Sequence, residues 1–147
     1  MFSLGVDVLR VGDLDRLLTR DWFRRYVYAD AELAIASDFG AGRAREFLAG
    51  RFAAKEAIAK ALGTGWGSGY TPRQMVVLRA PGGTPVARLT GKAAWHASEL
   101  GLTEITVSIA HKHELVVAVA AAGRGAGGGA LAEQAARAVA ARSCLTT

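Results

Sequence analysis

Cysteine is nearly absent from the 147-residue chain, with Cys144 its single representative. No internal disulfide can staple the fold, and a reducing, cytoplasmic setting is the expectation. No apolar run approaches the roughly 20 residues of a membrane span, and the opening "MFSLGVDVLR" lacks the layout of a secretory signal. Membrane insertion is therefore not expected. The terminal "CLTT" has a polar third residue and departs from a prenylation box. His111 and His113 would point the same way on a strand, but no further Cys and His cluster completes a zinc site. Acidic residues are in deficit, 13 against 18 Lys and Arg, giving a formal net charge of +5. That balance favours an acidic partner, whether nucleic acid, anionic membrane, phosphorylated ligand or acidic protein. Aromatic residues do not interleave with bases as in single-strand binders, so nucleic acid is not the expected partner.

What is present is a globular balance of 51% hydrophobic and 21% charged residues in a length that suits one domain with a real core. The β-branched run "SLGVDVLRVG" reads as a strand, with Asp13 as the cap of a helix beginning "LDRLLTR". "DWFRRYVYADAELAIAS" continues helically, and "DFGAGRAR" is a break or a start before a long helix that Gly63 ends. "TGWGSGYTP" is a glycine-rich loop. "RQMVVLRAPGGTPVARLTG" is a hairpin turning at "APGGTP", "KAAWHASELG" a helix, and "TEITVSIAHKHELVVAVAAA" a second hairpin turning between Lys112 and Glu114. The fold class is α+β, a small antiparallel sheet from hairpins packed on a long central helix. Residues 1–122 form the domain, and residues 123–147 are a Gly/Ala-rich linker and tail.

The stretch "RFAAKEAIAKALGTG" from Arg51 to Gly65 poses a specific problem. At about 100° per residue, Phe47, Ala54, Ile58 and Leu62 share one face, and Leu48, Phe52 and Ala59 form a second apolar stripe beside Glu56. A helix covered on two sides leaves Glu56 at the edge of buried surface, where an ionised carboxylate needs a cation or hydrogen bonds. Lys60, one turn on, or a metal would supply the charge. Asp7 poses the same problem in the first strand, on the face of Leu9 and Val11, unless the strand end is open to water. Gly63 to Gly69 follows a helix rather than preceding one, so it cannot use helix N-terminal amides as a phosphate loop does. His111 shares a strand face with Ile105, Val107 and Ile109, where a histidine also serves as a plain hydrogen-bonding group. Arg10, Arg16, Arg20, Arg24 and Arg25 are either a solvated basic face or a dock for an acidic protein.

Together these pieces resemble the holo-acyl-carrier-protein synthase family of 4′-phosphopantetheinyl transferases. The resemblance rests on Gly5-Val6-Asp7, the central motif from Phe52 to Gly65, Gly83-Thr84-Pro85, and Ser108 to His111, in order over residues 4 to 122. It implies the 4′-phosphopantetheinyl transferase fold, and transfer of phosphopantetheine from coenzyme A to a serine of an acidic apo acyl carrier protein of fatty-acid or polyketide type. It also implies Mg2+ held by Asp7 and Glu56, catalysis by Glu56, Lys60 and Asp7, and Glu56 as base either directly or through a metal-bound water. Arg51 and His111 then resemble contacts to the nucleotide phosphates, Lys60 the lysine near the pyrophosphate, and Gly65 and Pro85 parts of the adenine-side wall. A homotrimer with sites between subunits is implied as well. The sequence departs at "VYADAEL", where Glu32 alone matches, at Lys112, and in the tail after Ala122. The alternative is a binding protein without catalysis that keeps the fold and holds coenzyme A or an acidic partner.

Overall fold

The computed structural model describes residues 2–125. The tail expected beyond that point lies outside the described residues. Strand β1 (Phe2–Arg10) leads through a 3-10 turn (Val11–Leu14) to α1 (Asp15–Leu18), α2 (Asp21–Val27) and α3 (Asp30–Ser37). The long helix α4 (Ala41–Ala61) follows. A second 3-10 turn (Pro72–Gln74) precedes the ribbon of β2 (Met75–Arg79) and β3 (Pro85–Leu89). Helix α5 (Gly91–Glu99) and the hairpin of β4 (Glu104–Lys112) and β5 (Leu115–Gly123) complete the order. β1, β5 and β4 form an antiparallel sheet in that spatial order, with β5 in the middle; β2 and β3 pair separately. The α+β reading holds, with both hairpins where the turn residues placed them.

Two local expectations differ. Asp13 lies inside the 3-10 turn and caps nothing through its side chain. The helical run from Asp21 breaks at Tyr28 and Ala29, both extended. Neither glycine nor proline causes the break: Tyr28 is drawn fully into the core, where its hydroxyl donates to the Leu48 carbonyl at 2.8 Å.

Helix α4 is the axis of the molecule. Its alanines let β1 lie directly on the helix backbone, and Gly5 marks the tightest approach. A Cβ there would meet the Ala57 carbonyl and stand 2.7 Å from the Ala61 nitrogen. At its far end Gly63 takes a φ of +73°, and Gly63 and Thr64 donate back to the carbonyls of Lys60 and Ala59, both at 3.0 Å. That is the paired closure by which a glycine stops a helix. The consequence is a fixed register between Asp7 on β1 and the last turns of α4.

Candidate active site

From Phe47 to Ala61 every residue of α4 is buried except Phe52, Glu56 and Lys60. These three fall at i, i+4 and i+8, a single stripe one residue wide. Trp66 packs edge-on against Phe52 with centroids 4.9 Å apart, and Phe23 stacks on it at 6.0 Å. Beside the stripe runs β1, whose Gly5, Asp7 and Leu9 turn toward the helix while Val6 and Val8 turn outward. Lys60 Nζ donates to Asp7 Oδ1 and to the Val6 carbonyl, each at 2.9 Å. The cation sought for Glu56 is thus bonded to Asp7, and it reaches Glu56 only through space. Burial pushes the Glu56 carboxyl above its ordinary range, the negative charge of Asp7 pushes further, and Lys60 opposes both. Two carboxylates that repel across a half-buried stripe fit a divalent cation. No cluster of three or more His, Cys, Asp or Glu side chains suited to a metal occurs among the described residues. A metal here would need its remaining ligands from substrate oxygens and water, as magnesium usually does.

A second group assembles elsewhere. Arg51, Pro85 and His111 line one cavity of about 200 Å³, together with Phe39, Arg43, Phe47 and Arg79. Arg51 is held rigidly: Nε donates to the Val77 carbonyl at 3.1 Å, Nη2 to the Leu78 carbonyl at 3.0 Å, and the guanidinium lies 4.0 Å over the Phe47 ring. Burial lowers its pKa to about 10, which leaves it charged at neutral pH. Arg43 and Arg79 approach the Phe39 ring at 4.7 and 5.9 Å. His111 Nε2 stands 3.9 Å from Glu46 Oε2 at the open side. Three guanidinium groups against one carboxylate make a cavity for an anion with planar oxygens to pair.

The two groups do not meet within the chain. Arg51 and Glu56 are five residues apart, which at about 100° per residue places them about 140° apart around α4. Gly65 belongs to neither cavity wall and sits exposed on the loop that follows α4.

The sequence reading missed a buried ion pair. Lys55 and Glu32 are both fully buried, and Lys55 Nζ donates to Glu32 Oε2 at 2.8 Å, the Pro72 carbonyl at 3.0 Å and the Met75 carbonyl at 2.8 Å. All three ammonium protons are used. Glu32 in turn accepts from the amides of Ala29 and Val77, each at 2.7 Å. Burial pulls the Lys55 pKa down, and the charge of Glu32 opposes it. The available signal was a lysine among core-facing alanines in α4. Arg43 and Arg79 were missed as well, since nothing local to either marks a cavity.

Comparison with known proteins identifies the family of the chain. Residues 3–120 match the family model of the 4′-phosphopantetheinyl transferase superfamily. The holo-[acyl-carrier-protein] synthase of Halorhodospira halophila is 41% identical over 114 residues, covering 76% of this chain and 89% of that protein. The ACPS–CoA complex of Chronobacterium ammoniagenes superposes with a TM-score of 0.74 at 27% identity, covering 84% of this chain and 97% of the other. The holo-(acyl-carrier-protein) synthase of Bacillus anthracis, in complex with CoA (3′,5′-ADP), gives 0.68 at 28% identity, covering 82% and 94%.

Proposed function

The chain belongs to the 4′-phosphopantetheinyl transferase superfamily, and from that premise we propose that Asp7, Glu56 and Lys60 carry its reaction. The protein is a holo-[acyl-carrier-protein] synthase, which moves phosphopantetheine from coenzyme A to a serine of an apo acyl carrier protein. The serine Oγ bonds to the β-phosphorus, the pyrophosphate P–O bond breaks, and adenosine 3′,5′-bisphosphate leaves. The observation that supports the residue assignment is half-buried Glu56 and exposed Lys60 beside Asp7, on a stretch of α4 from Phe47 to Ala61 whose other residues, Phe52 apart, are buried. Glu56, with its raised proton affinity, is the group that takes the serine proton, directly or through water. Lys60 is placed to offset charge on the transferring phosphoryl group and on the departing phosphate. Asp7 holds the Lys60 ammonium in position at 2.9 Å. Asp7 and Glu56 would hold Mg2+, which when bound polarises phosphoryl oxygens.

Arg51 and His111 pair with the nucleotide phosphates, and Pro85 and Gly65 form part of the adenine-side wall. Because Arg51, Pro85 and His111 lie on another side of α4 from Glu56, we read the chain as presenting two half-sites that a second copy joins. A homotrimer accounts for this. In its favour the outer face of the sheet is apolar and open: Leu4, Val6, Val8, Val117 and Val119 are all exposed. Patches of this kind mark interaction surfaces. The arginines of α1 and α2 dock the acidic carrier. The transferase domain spans residues 1–122, with β5 running one residue further, and the tail plays no part in transfer. A cytoplasmic setting fits this substrate, and no helix among the described residues is long and apolar enough to cross a membrane.

Mass spectrometry of an apo acyl carrier protein incubated with the protein, coenzyme A and Mg2+ tests the reading. A gain of one phosphopantetheine per carrier, lost with a chelator, is expected. Carrier bound but unmodified would favour the alternative of a binding protein without catalysis.

A further inference from the structure

The turn between β4 and β5 sends no side chain into the core: every residue from His111 to Leu115 is exposed. Beyond the strand pairing itself, two hydrogen-bonded contacts among the described residues fix where this turn lies. One is backbone, the Val11 amide donating to the Glu114 carbonyl at 2.8 Å. The other is Arg45 of α4. Its Nε and Nη2 donate to Asp15 Oδ1 and Oδ2 at 2.6 and 3.0 Å, and its Nη2 and Nη1 donate to Glu114 Oε2 and Oε1 at 3.1 and 3.4 Å. One guanidinium thus joins α1, α4 and the turn, across sequence separations of 30 and 69 residues. Isolated exposed ion pairs contribute little, but a planar fork engaged by two carboxylates fixes geometry as well as charge. The hydrogen bonds from Arg45 also hold the Asp15 carboxyl below its ordinary value.

We propose that Arg45 is a positioning residue for nucleotide binding, which clamps Glu114 and so holds the β4–β5 turn with the His111 imidazole at the open side of the cationic cavity. The inference rests on the assignment of His111 to the nucleotide phosphates above and adds what keeps that group in place. His111 lies on the strand that enters the turn and lines the cavity. Its neighbour Glu46, next to Arg45 on α4, approaches Nε2 only to 3.9 Å. That is too far for a hydrogen bond, so Glu46 does not fix the ring. Arg51 differs, since two carbonyls of β2 hold its guanidinium. Of the two groups assigned to the phosphates, His111 is therefore the one whose place depends on where the turn is held. Releasing the clamp leaves the imidazole intact and lets it wander, which costs affinity because the ligand must then order it.

The test is calorimetric titration of adenosine 3′,5′-bisphosphate onto the full chain, with KM for coenzyme A and kcat measured beside it. His111→Ala should weaken the bisphosphate by about tenfold or more, as loss of a hydrogen bond to a charged group does. Arg45→Met should weaken it by about threefold or more, through the ordering cost that the clamp removes, and Glu114→Gln should act in the same direction. In the His111→Ala background neither change should cost anything further, because residues that act through one contact are not additive. The loss should appear as a higher KM for coenzyme A rather than a lower kcat. Glu114→Gln alters one atom of an exposed side chain, so the result does not hang on the fold tolerating loss of Arg45. Wild-type affinity in either variant, or losses of equal size with and without His111, would overturn the positioning role and leave His111 on the phosphates. If His111→Ala binds the bisphosphate like wild type, the phosphate assignment itself falls, and the positioning role with it.

Discussion

Glu56 is a carboxyl group whose surroundings favour its protonated form, because it is half-buried on α4 and Asp7 adds a second negative charge nearby. The folded protein then binds this proton more tightly than the unfolded chain does. Stability must fall as pH rises from the ordinary value of 4.5 through the raised one. Glu56→Gln removes that cost. It is expected to be as stable as wild type or more so at neutral pH, with the difference fading below pH 4.5, while transfer drops by about 100-fold or more. Thermal melts across pH, read beside turnover, check both halves, and a variant less stable at neutral pH would assign Glu56 a structural role. The anomaly of Glu56 was legible because helical period alone sets it between two apolar stripes. Lys55 next to it was not legible. Its partner is Glu32, 23 residues away on another helix, and no local pattern joins them.

At the scale of elements, Lys55 ties three segments to α4. It holds α3 through Glu32, the Pro72–Gln74 turn and the start of β2 through two carbonyls, and, by way of Glu32, the amide of Val77. The ribbon that supplies Pro85 and Arg79 to the cationic cavity is therefore positioned by a buried ion pair. Lys55→Met would leave Glu32 charged and unpaired in the core, a change that commonly costs about 3–5 kcal/mol. Urea unfolding should show that loss, and the double variant with Glu32→Gln should recover part of it. Wild-type stability in Lys55→Met would mean that the pair holds nothing. Strands and hairpins were readable from alternation and turn residues. The break between α2 and α3 was not, because its cause is the burial of Tyr28 against Leu48, a tertiary contact.

For the whole molecule, the central fact is that the residues assigned to one reaction occupy two sides of α4. Only the family resemblance brought Arg51, Pro85 and His111 to notice beside Glu56. Local patterns could not, since the cavity depends on β2, β3 and β4 converging on a helix distant in sequence. Val6 and Val119 are cross-strand neighbours on the open apolar face. Changing both to Lys should release monomers, visible by light scattering, and abolish transfer with them; an active monomer would rule out a shared site. The most direct measurement mixes two inactive proteins, Glu56→Gln and His111→Ala, at a coenzyme A concentration where neither works alone. If one copy supplies Asp7, Glu56 and Lys60 and its neighbour supplies Arg51 and His111, exchange of subunits rebuilds intact sites at about a quarter of the interfaces of an equal mixture. Transfer should return to about that fraction of wild type. Mixtures that remain inactive after exchange has been verified would contradict the account.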